Sequence, residues 1–241
     1  MTGTAREVAA ELHAVYGLEV VAIPTNKPGR RRVLPSICWP DENTKWHAVA
    51  TAAKQYSQRG APVLIGTRSL EASERLSAVL VSEGLPHRVL NARQDAEEAE
   101  IIAEAGQSGN ITVATNMAGR GTDIRLGAGV PEAGGLHVIL TEFHDSARID
   151  RQLIGRCARQ GDPGTACAMT ALDDDLFVRN GGLFFQLLKA AGRPRRSGIQ
   201  LRLLRWIAQR NTSRIQARER RDTLAQDRSL DTMLGFAGNQ I

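Results

Sequence analysis

Two short segments of the chain carry residue types that can act together on one ligand. The first, Thr115-Asn116-Met117-Ala118-Gly119-Arg120-Gly121-Thr122-Asp123, follows the strand-like run Ile111-Thr112-Val113-Ala114 and ends on a carboxylate. Gly119 and Gly121 have no Cβ, so the backbone there can turn sharply and come close to a ligand. The second segment, Gln152-Leu153-Ile154-Gly155-Arg156-Cys157-Ala158-Arg159-Gln160-Gly161, places Gln152, Arg156 and Arg159 at spacings of four and three. On a helix such positions share a face, and two permanently charged guanidinium forks then aim at one anion. A Gly-rich loop ending in Asp123 and a paired-arginine face suit half of a nucleotide site. The arginines would meet phosphate oxygens, and the carboxylate would accept from a ribose hydroxyl.

The elements that must hold these segments alternate. Helical periodicity over residues 45–59 stops at Gly60, a normal C-terminal signal. Residues 61–67 read as a short apolar strand, and Ser69 can cap a helix that runs to about Glu83. A strand at 87–90 and a helix at 96–104 lead to the strand before the first motif. The strand at 136–140, the helix of the second motif and a strand at 166–171 follow. Strands alternating with helices imply βαβ units around a mostly parallel sheet, with right-handed crossovers and ligands at the carboxyl ends of the strands. Near the start, residues 5–15 read as a helix and Leu18-Glu19-Val20-Val21-Ala22-Ile23 as a buried strand. After Leu172, Asp173-Asp174-Asp175 reads as the acidic N-terminus of an apolar helix, because three adjacent carboxylates do not converge on a metal. Gly192-Arg193-Pro194 breaks the chain, and a long helical pattern from Ser197 carries Leu201, Leu204, Ala208, Ile215 and Leu224.

The 241 residues suffice for one packed domain plus an appendage. Aromatics make up only 4%, so the core must rest on aliphatic side chains. No apolar run reaches the length of a membrane span and no signal-peptide pattern opens the chain. Cys38, Cys157 and Cys167 are far apart and form no metal-ligand spacing, so they read as reduced thiols. From Arg195 to Ile241 ten arginines face four acidic residues, an excess of six against a whole-chain charge of +5. The basic character therefore belongs to the tail, which suits an anionic lipid surface, an acidic partner, or a solvated scaffold face. His137, lone in an apolar strand, reads as a satisfied core residue. His144 invites a general-base or metal reading that no neighbouring pattern supports.

The two motifs resemble motifs V and VI of superfamily 2 helicase-like motors. The wording TNMAGRGTDI, followed by GGLHVI, TE, H, S, RID and QLxGRxxRQGDPG, resembles the SecA preprotein translocase ATPase family. The opening Met1-Thr2-Gly3-Thr4-Ala5 is similar to that family's motif III, and Pro24-Thr25-Asn26-Lys27-Pro28 to its interdomain linker. Thr67-Arg68-Ser69 resembles a motif IV segment with a coupling or structural part. The resemblance implies an α/β fold, a RecA-like parallel-sheet C-terminal lobe followed by an α-helical extension. It divides the chain into residues 1–24, the remnant of a first nucleotide-binding domain, residues 25–175, the second, and residues 176–241, an Arg-rich scaffold-like extension. It makes Arg156, Arg159 and Gln152 catalytic, the arginines as arginine fingers, and Gly119, Gly121 and Asp123 nucleotide contacts. Three departures stand out: Leu140 where a glycine is usual, Phe143 where an arginine is usual, and Cys157-Ala158 where smaller residues are common. Loss of charge at Phe143 bears on conformational coupling more than on nucleotide contact.

No Gly-x-x-x-x-Gly-Lys-[Ser/Thr] loop occurs in the sequence, and no apolar strand ends in paired carboxylates that would hold Mg²⁺. In the family both belong to the first nucleotide-binding domain, so the chain is expected to be inactive alone. It would supply the arginine side of an interdomain ATP site, with Mg²⁺ held by an N-terminal half in cis or in trans and no zinc. The resemblance further implies a SecYEG-type channel and preproteins as partners, and a cytoplasmic place at the inner face of the bacterial membrane. The rivals are the C-terminal lobe of an RNA or DNA helicase and a non-catalytic interaction module. The near-neutral core lacks the aromatic platform and basic groove that nucleic acid requires.

Overall fold

A computed structural model of the protein describes residues 5–90, 95–115, 122–191 and 196–237. Gly119, Gly121, residues 1–4 and the Gly192-Arg193-Pro194 break lie outside the described residues. After a single 3₁₀ turn the elements run α1 (Ala9–Tyr16), β1 (Arg30–Val33), β2 (Ile37–Trp39), α2 (Glu42–Gln58), β3 (Val63–Thr67), α3 (Leu70–Ser82), β4 (Arg88–Leu90) and α4 (Asp95–Glu104). Then come β5 (Ile111–Thr115), β6 (Leu136–Leu140), α5 (Ala147–Ile154), β7 (Pro163–Ala171), α6 (Asp175–Asn180), α7 (Gly182–Ala190), β8 (Arg196–Ser197) and α8 (Ile199–Ala237). The strands from β3 to β7 lie parallel in the order β4-β5-β3-β6-β7.

The nine-residue β7 closes this row and carries two short parallel strands on its outer edge. β1 pairs with its first half, Pro163–Ala166, and β2 with its last three residues. Between them lies Pro35, which has no N–H to give the ladder. β8 adds an antiparallel pair on β2. Both edge strands escape periodicity reading, because three arginines fill β1 and β2 is only three residues long.

Side chains alternate across the sheet and both faces are buried, as a parallel sheet requires. Val63, Ile65, Ile111, Val113 and Ile139 pack under α2 and α3 with Val49, Ala53, Leu76 and Leu80. Leu64, Ala114, Val138, Leu140 and Ala166 face the other way, against Ile101 and Ile102 of α4, Leu153 of α5, and Leu201 and Leu204 of α8. The helix starts follow their caps. Asp41 Oδ1 accepts from Thr44 N at 2.7 Å to open α2, and Ser69 Oγ accepts from Ala72 N at 3.1 Å to open α3.

Two expectations need correction. Residues 18–23 form no strand; Leu18, Val21 and Ile23 are exposed, Val21 by 78%. An apolar run makes a strand only where a sheet edge receives it, and among the described residues none pairs with this one. The apolar helix after the acidic trio is two helices, because Gly182 turns the chain at φ +59° and leaves Leu183 and Leu187 exposed on α7. The long helical pattern from Ser197 is α8, along which Leu201, Leu204 and Ala208 are buried and Ile215 is exposed.

His137 on β6 is the satisfied core histidine its apolar strand predicts. Its ring stacks on Tyr56 at 3.5 Å, and Nδ1 lies 2.6 Å from the Thr165 hydroxyl. Burial pushes its pKa down to about 4. The folded value lies below the unfolded one, so the unfolded chain takes up the proton first as pH falls. The contribution of His137 is complete above pH 6.5 and is lost on the way down to pH 4. The expected loss is roughly 3 kcal/mol. Urea unfolding at pH 7, 5.5 and 4.5 should show this component in the wild type and not in His137→Gln. Equal pH slopes in the two proteins would rule it out.

Candidate nucleotide-facing site

β5 and β6 flank β3 at the centre of the sheet, and the two motifs leave from their carboxyl ends. The described end of the first motif brings Thr122 and Asp123 to the surface beside the second. Arg159 Nη1 donates to Asp123 Oδ1 at 2.9 Å and to the Thr122 carbonyl at 3.1 Å, while its Nε donates to the Gly155 carbonyl at 3.1 Å. Arg156 Nη1 reaches the same Thr122 carbonyl at 3.5 Å. Asp123, Arg156 and Arg159, predicted from two stretches more than thirty residues apart, therefore meet at one place. Arg159 and Asp123 are each about two-fifths exposed, so the pair is open to a ligand.

The route to this convergence differs from the single helix face that the spacing predicts. α5 ends at Ile154, with Gln152 still helical and half-buried in its last turn. Arg156 and Arg159 lie beyond it in a loop whose backbone is left-handed at Ala158 (φ 54°), Gln160 (φ 55°) and Gly161 (φ 87°). Such values are costly for residues with a Cβ, about 1–3 kcal/mol each, and they concentrate where a loop must aim its side chains. Arg31 of β1 holds the loop from behind, giving Nε and Nη2 to the Cys157 carbonyl at 3.2 and 3.0 Å. A Cβ at Gly164 would lie 2.7 Å from Ala158 N, so only glycine lets β7 pass this close under the loop.

Before the loop, α5 is seated on the sheet by another close approach. A Cβ at Gly66 would lie 2.1 Å from Leu153 Cδ2, so the helix rests directly on the β3 backbone. Its N-terminus is capped by Ser146, whose Oγ accepts from Arg148 N at 3.3 Å. Next to the cap, Arg68 pairs with Asp145 through Nη2 at 2.9 and 3.0 Å, which ties the end of β3 to the start of α5. Thr67, Arg68 and Ser69 are thus engaged respectively in burial, an ion pair and a helix cap.

Sequence reading missed the polar centre behind the loop. Asp150 is completely buried on α5. Its Oδ1 accepts from His144 N and Nδ1, both at 2.8 Å, and its Oδ2 from Gln209 Nε2 at 2.8 Å and Arg205 Nη2 at 3.1 Å. The available signal was Leu153, three residues on: a carboxylate on the face of α5 that carries the core leucine must be buried and must have partners. With Nδ1 given to Asp150, the His144 Nε2 is buried without a hydrogen-bond partner among the described residues. Arg205 also lays its guanidinium over the Phe143 ring at 4.4 Å, so a cation from α8 stands at the position where the resemblance predicts a lost charge.

Among the described residues no group of three His, Cys, Asp or Glu could hold a metal ion. No described helix is long and apolar enough to cross a membrane. Burial raises the thiol pKa of Cys157, and that of Cys167 to about 12, so both stay protonated at neutral pH.

The sheet, the two motifs at its carboxyl edge and the helices that follow define a RecA-like α/β lobe with a helical extension. The chain belongs to the SecA P-loop domain family, whose model matches residues 28–132 and 128–190. It is 49% identical over 240 residues to the protein translocase subunit SecA 2 of Nitrosospira multiformis, and 51% over 243 residues to that of Bordetella avium. Each alignment takes in 99% of this chain but only 36% of the relative, so the chain spans about a third of those proteins. The SecA subunit of Solidesulfovibrio magneticus is 54% identical over 176 residues, 73% of this chain and 21% of that one. Among solved structures, Escherichia coli DEAD-box protein SrmB bound to regulator of ribonuclease activity A aligns with 63% of this chain and 82% of its own. Its TM-score is 0.49 at 24% identity.

Proposed function

We propose that the chain is the second nucleotide-binding lobe of a SecA-type protein translocase motor, supplying the arginine side of an ATP site shared with a phosphate-loop lobe. The observation that carries this is the meeting of Asp123, Arg156 and Arg159 in a member of the SecA family. Two guanidinium groups beside a single carboxylate suit the excess negative charge of a triphosphate. Asp123 holds Nη1 of Arg159 until phosphate oxygens replace it, and is then available to a ribose hydroxyl. Mg²⁺, held by the partner lobe, would neutralise phosphate charge. Gln152, half-buried in the last turn of α5, would act beside the arginines. Gly119 and Gly121 would let the first loop approach the nucleotide.

The exposed apolar side chains of Leu18, Val21 and Ile23 suit burial against a partner lobe. By this reading the assembled motor drives preproteins through a SecYEG-type channel from the cytoplasmic face of the membrane. The test joins this chain to a phosphate-loop lobe of the SecA type and measures affinity for a fluorescent ATP analogue. The pair should bind about tenfold more tightly than the phosphate-loop portion alone. Equal affinity with and without this chain, at concentrations where the two associate, would overturn the proposal.

A further inference from the structure

The Asp150 centre joins two parts of the molecule that the nucleotide-facing loop alone does not explain. Arg205 and Gln209 are one turn apart on α8, and both end on the same carboxylate oxygen of α5. Gln209 Nε2 also donates to the His144 carbonyl at 2.9 Å, and Arg205 Nε donates to Gln209 Oε1 at 3.2 Å. The connection between β6 and α5 is thereby gripped at Phe143, His144 and Asp150 by two side chains of one helix. On the same face α5 is seated on Gly66 through Leu153, and its chain runs on into the arginine loop six residues after Asp150.

We propose that Asp150 is a positioning residue through which α8 sets the place of Arg156 and Arg159. Four directional hydrogen bonds converge on one carboxylate from α8 and from the β6–α5 connection. A slide or rotation of α8 therefore breaks several bonds together and is not absorbed by one side chain. Apolar packing alone would let α8 slip past α5 at small cost. Because α5 lies on bare β3 backbone, the displacement passes along the helix to the loop at its end. The functional meaning of the link rests on the arginine loop facing nucleotide, but the link itself is a property of this chain.

Amide hydrogen exchange on the intact chain without nucleotide reads the link directly. The amides of Gly155, Arg156 and Asp162 are each hydrogen-bonded to a backbone carbonyl and report on the loop. Arg205→Met on α8 should speed their exchange by about tenfold, with β3 and α3 unchanged. Arg205→Lys should restore part of the protection, and Leu204→Ala, an apolar truncation on the same helix, should not reproduce the effect. Gln209→Ala is the milder variant should Arg205→Met not fold. Faster exchange in α8 with loop amides at wild-type rates would overturn the proposal and reduce the cluster to a clasp for α8. The outcome is independent of whether Arg159 acts on ATP, which is tested by hydrolysis.

Discussion

Arg159→Lys, in the chain paired with a phosphate-loop lobe, is expected to hydrolyse ATP about 10³–10⁵-fold more slowly in a single turnover, close to Arg159→Ala. The reason is geometric. Arg159 is oriented by three contacts, to the Gly155 and Thr122 carbonyls and to Asp123, and these use a fork with donors on Nε and Nη1. A lysine ammonium keeps the charge but has neither the fork nor the fixed direction. Loss of Arg156, whose Nη1 reaches the same Thr122 carbonyl at 3.5 Å, should be comparable or somewhat milder. Nucleotide affinity should change little in either variant, since most binding contacts come from the phosphate loop. Asp123→Ala should act on both quantities: it removes the ribose acceptor, and it also releases Nη1 of Arg159. Near wild-type single-turnover rates in both arginine variants would show these residues to be structural.

Much of the sheet was legible because parallel strands buried on both faces are short apolar runs, and one of the helices between them opens on the readable cap Ser69. The site was legible as residue types and as a meeting of two motifs, but its local shape was not. Spacings of four and three predict a helix face only if the helix lasts, and α5 stops at Ile154, where Gly155 starts a turn. The edge strands β1 and β2 owe their place to β7 and not to periodicity, which is also why Arg31 behind the loop went unread. The burial of Asp150 could be read from Leu153 on the same helix face, but which distant residue meets which, Asp150 with Arg205 or Lys45 with Asp174, has no local signature.

The Lys45–Asp174 pair should carry a large stability effect. Lys45, on the first turn of α2, is fully buried, with Nζ 2.7 Å from Asp174 Oδ1 and 4.2 Å from the centre of the Trp46 ring. The carboxylate, expected from sequence to cap a helix, makes no side-chain cap bond to α6. Instead Oδ2 accepts from Ala171 N at 2.9 Å, and the side chain locks the end of β7 to α2. Burial raises the Asp174 pKa to about 7; nearby Glu142 adds to this and Lys45 opposes it. Removing the cation leaves a buried carboxylate without its counter-charge, so Lys45→Met is expected to cost about 3–5 kcal/mol near pH 8. The sign with pH follows from the raised carboxyl. A folded pKa above the unfolded one makes stability fall as pH rises, and without Lys45 that pKa moves higher still. The deficit of Lys45→Met should therefore narrow from pH 8 to pH 5, as Asp174 takes up a proton and is buried neutral. Adding Asp174→Asn should recover part of the loss at pH 8, because the amide oxygen can still accept from Ala171 N. Urea unfolding of the two single variants and the double variant at pH 5 and pH 8 measures each term. A cost below about 1 kcal/mol for Lys45→Met at pH 8 would show that the pair does not hold α2 to the end of β7.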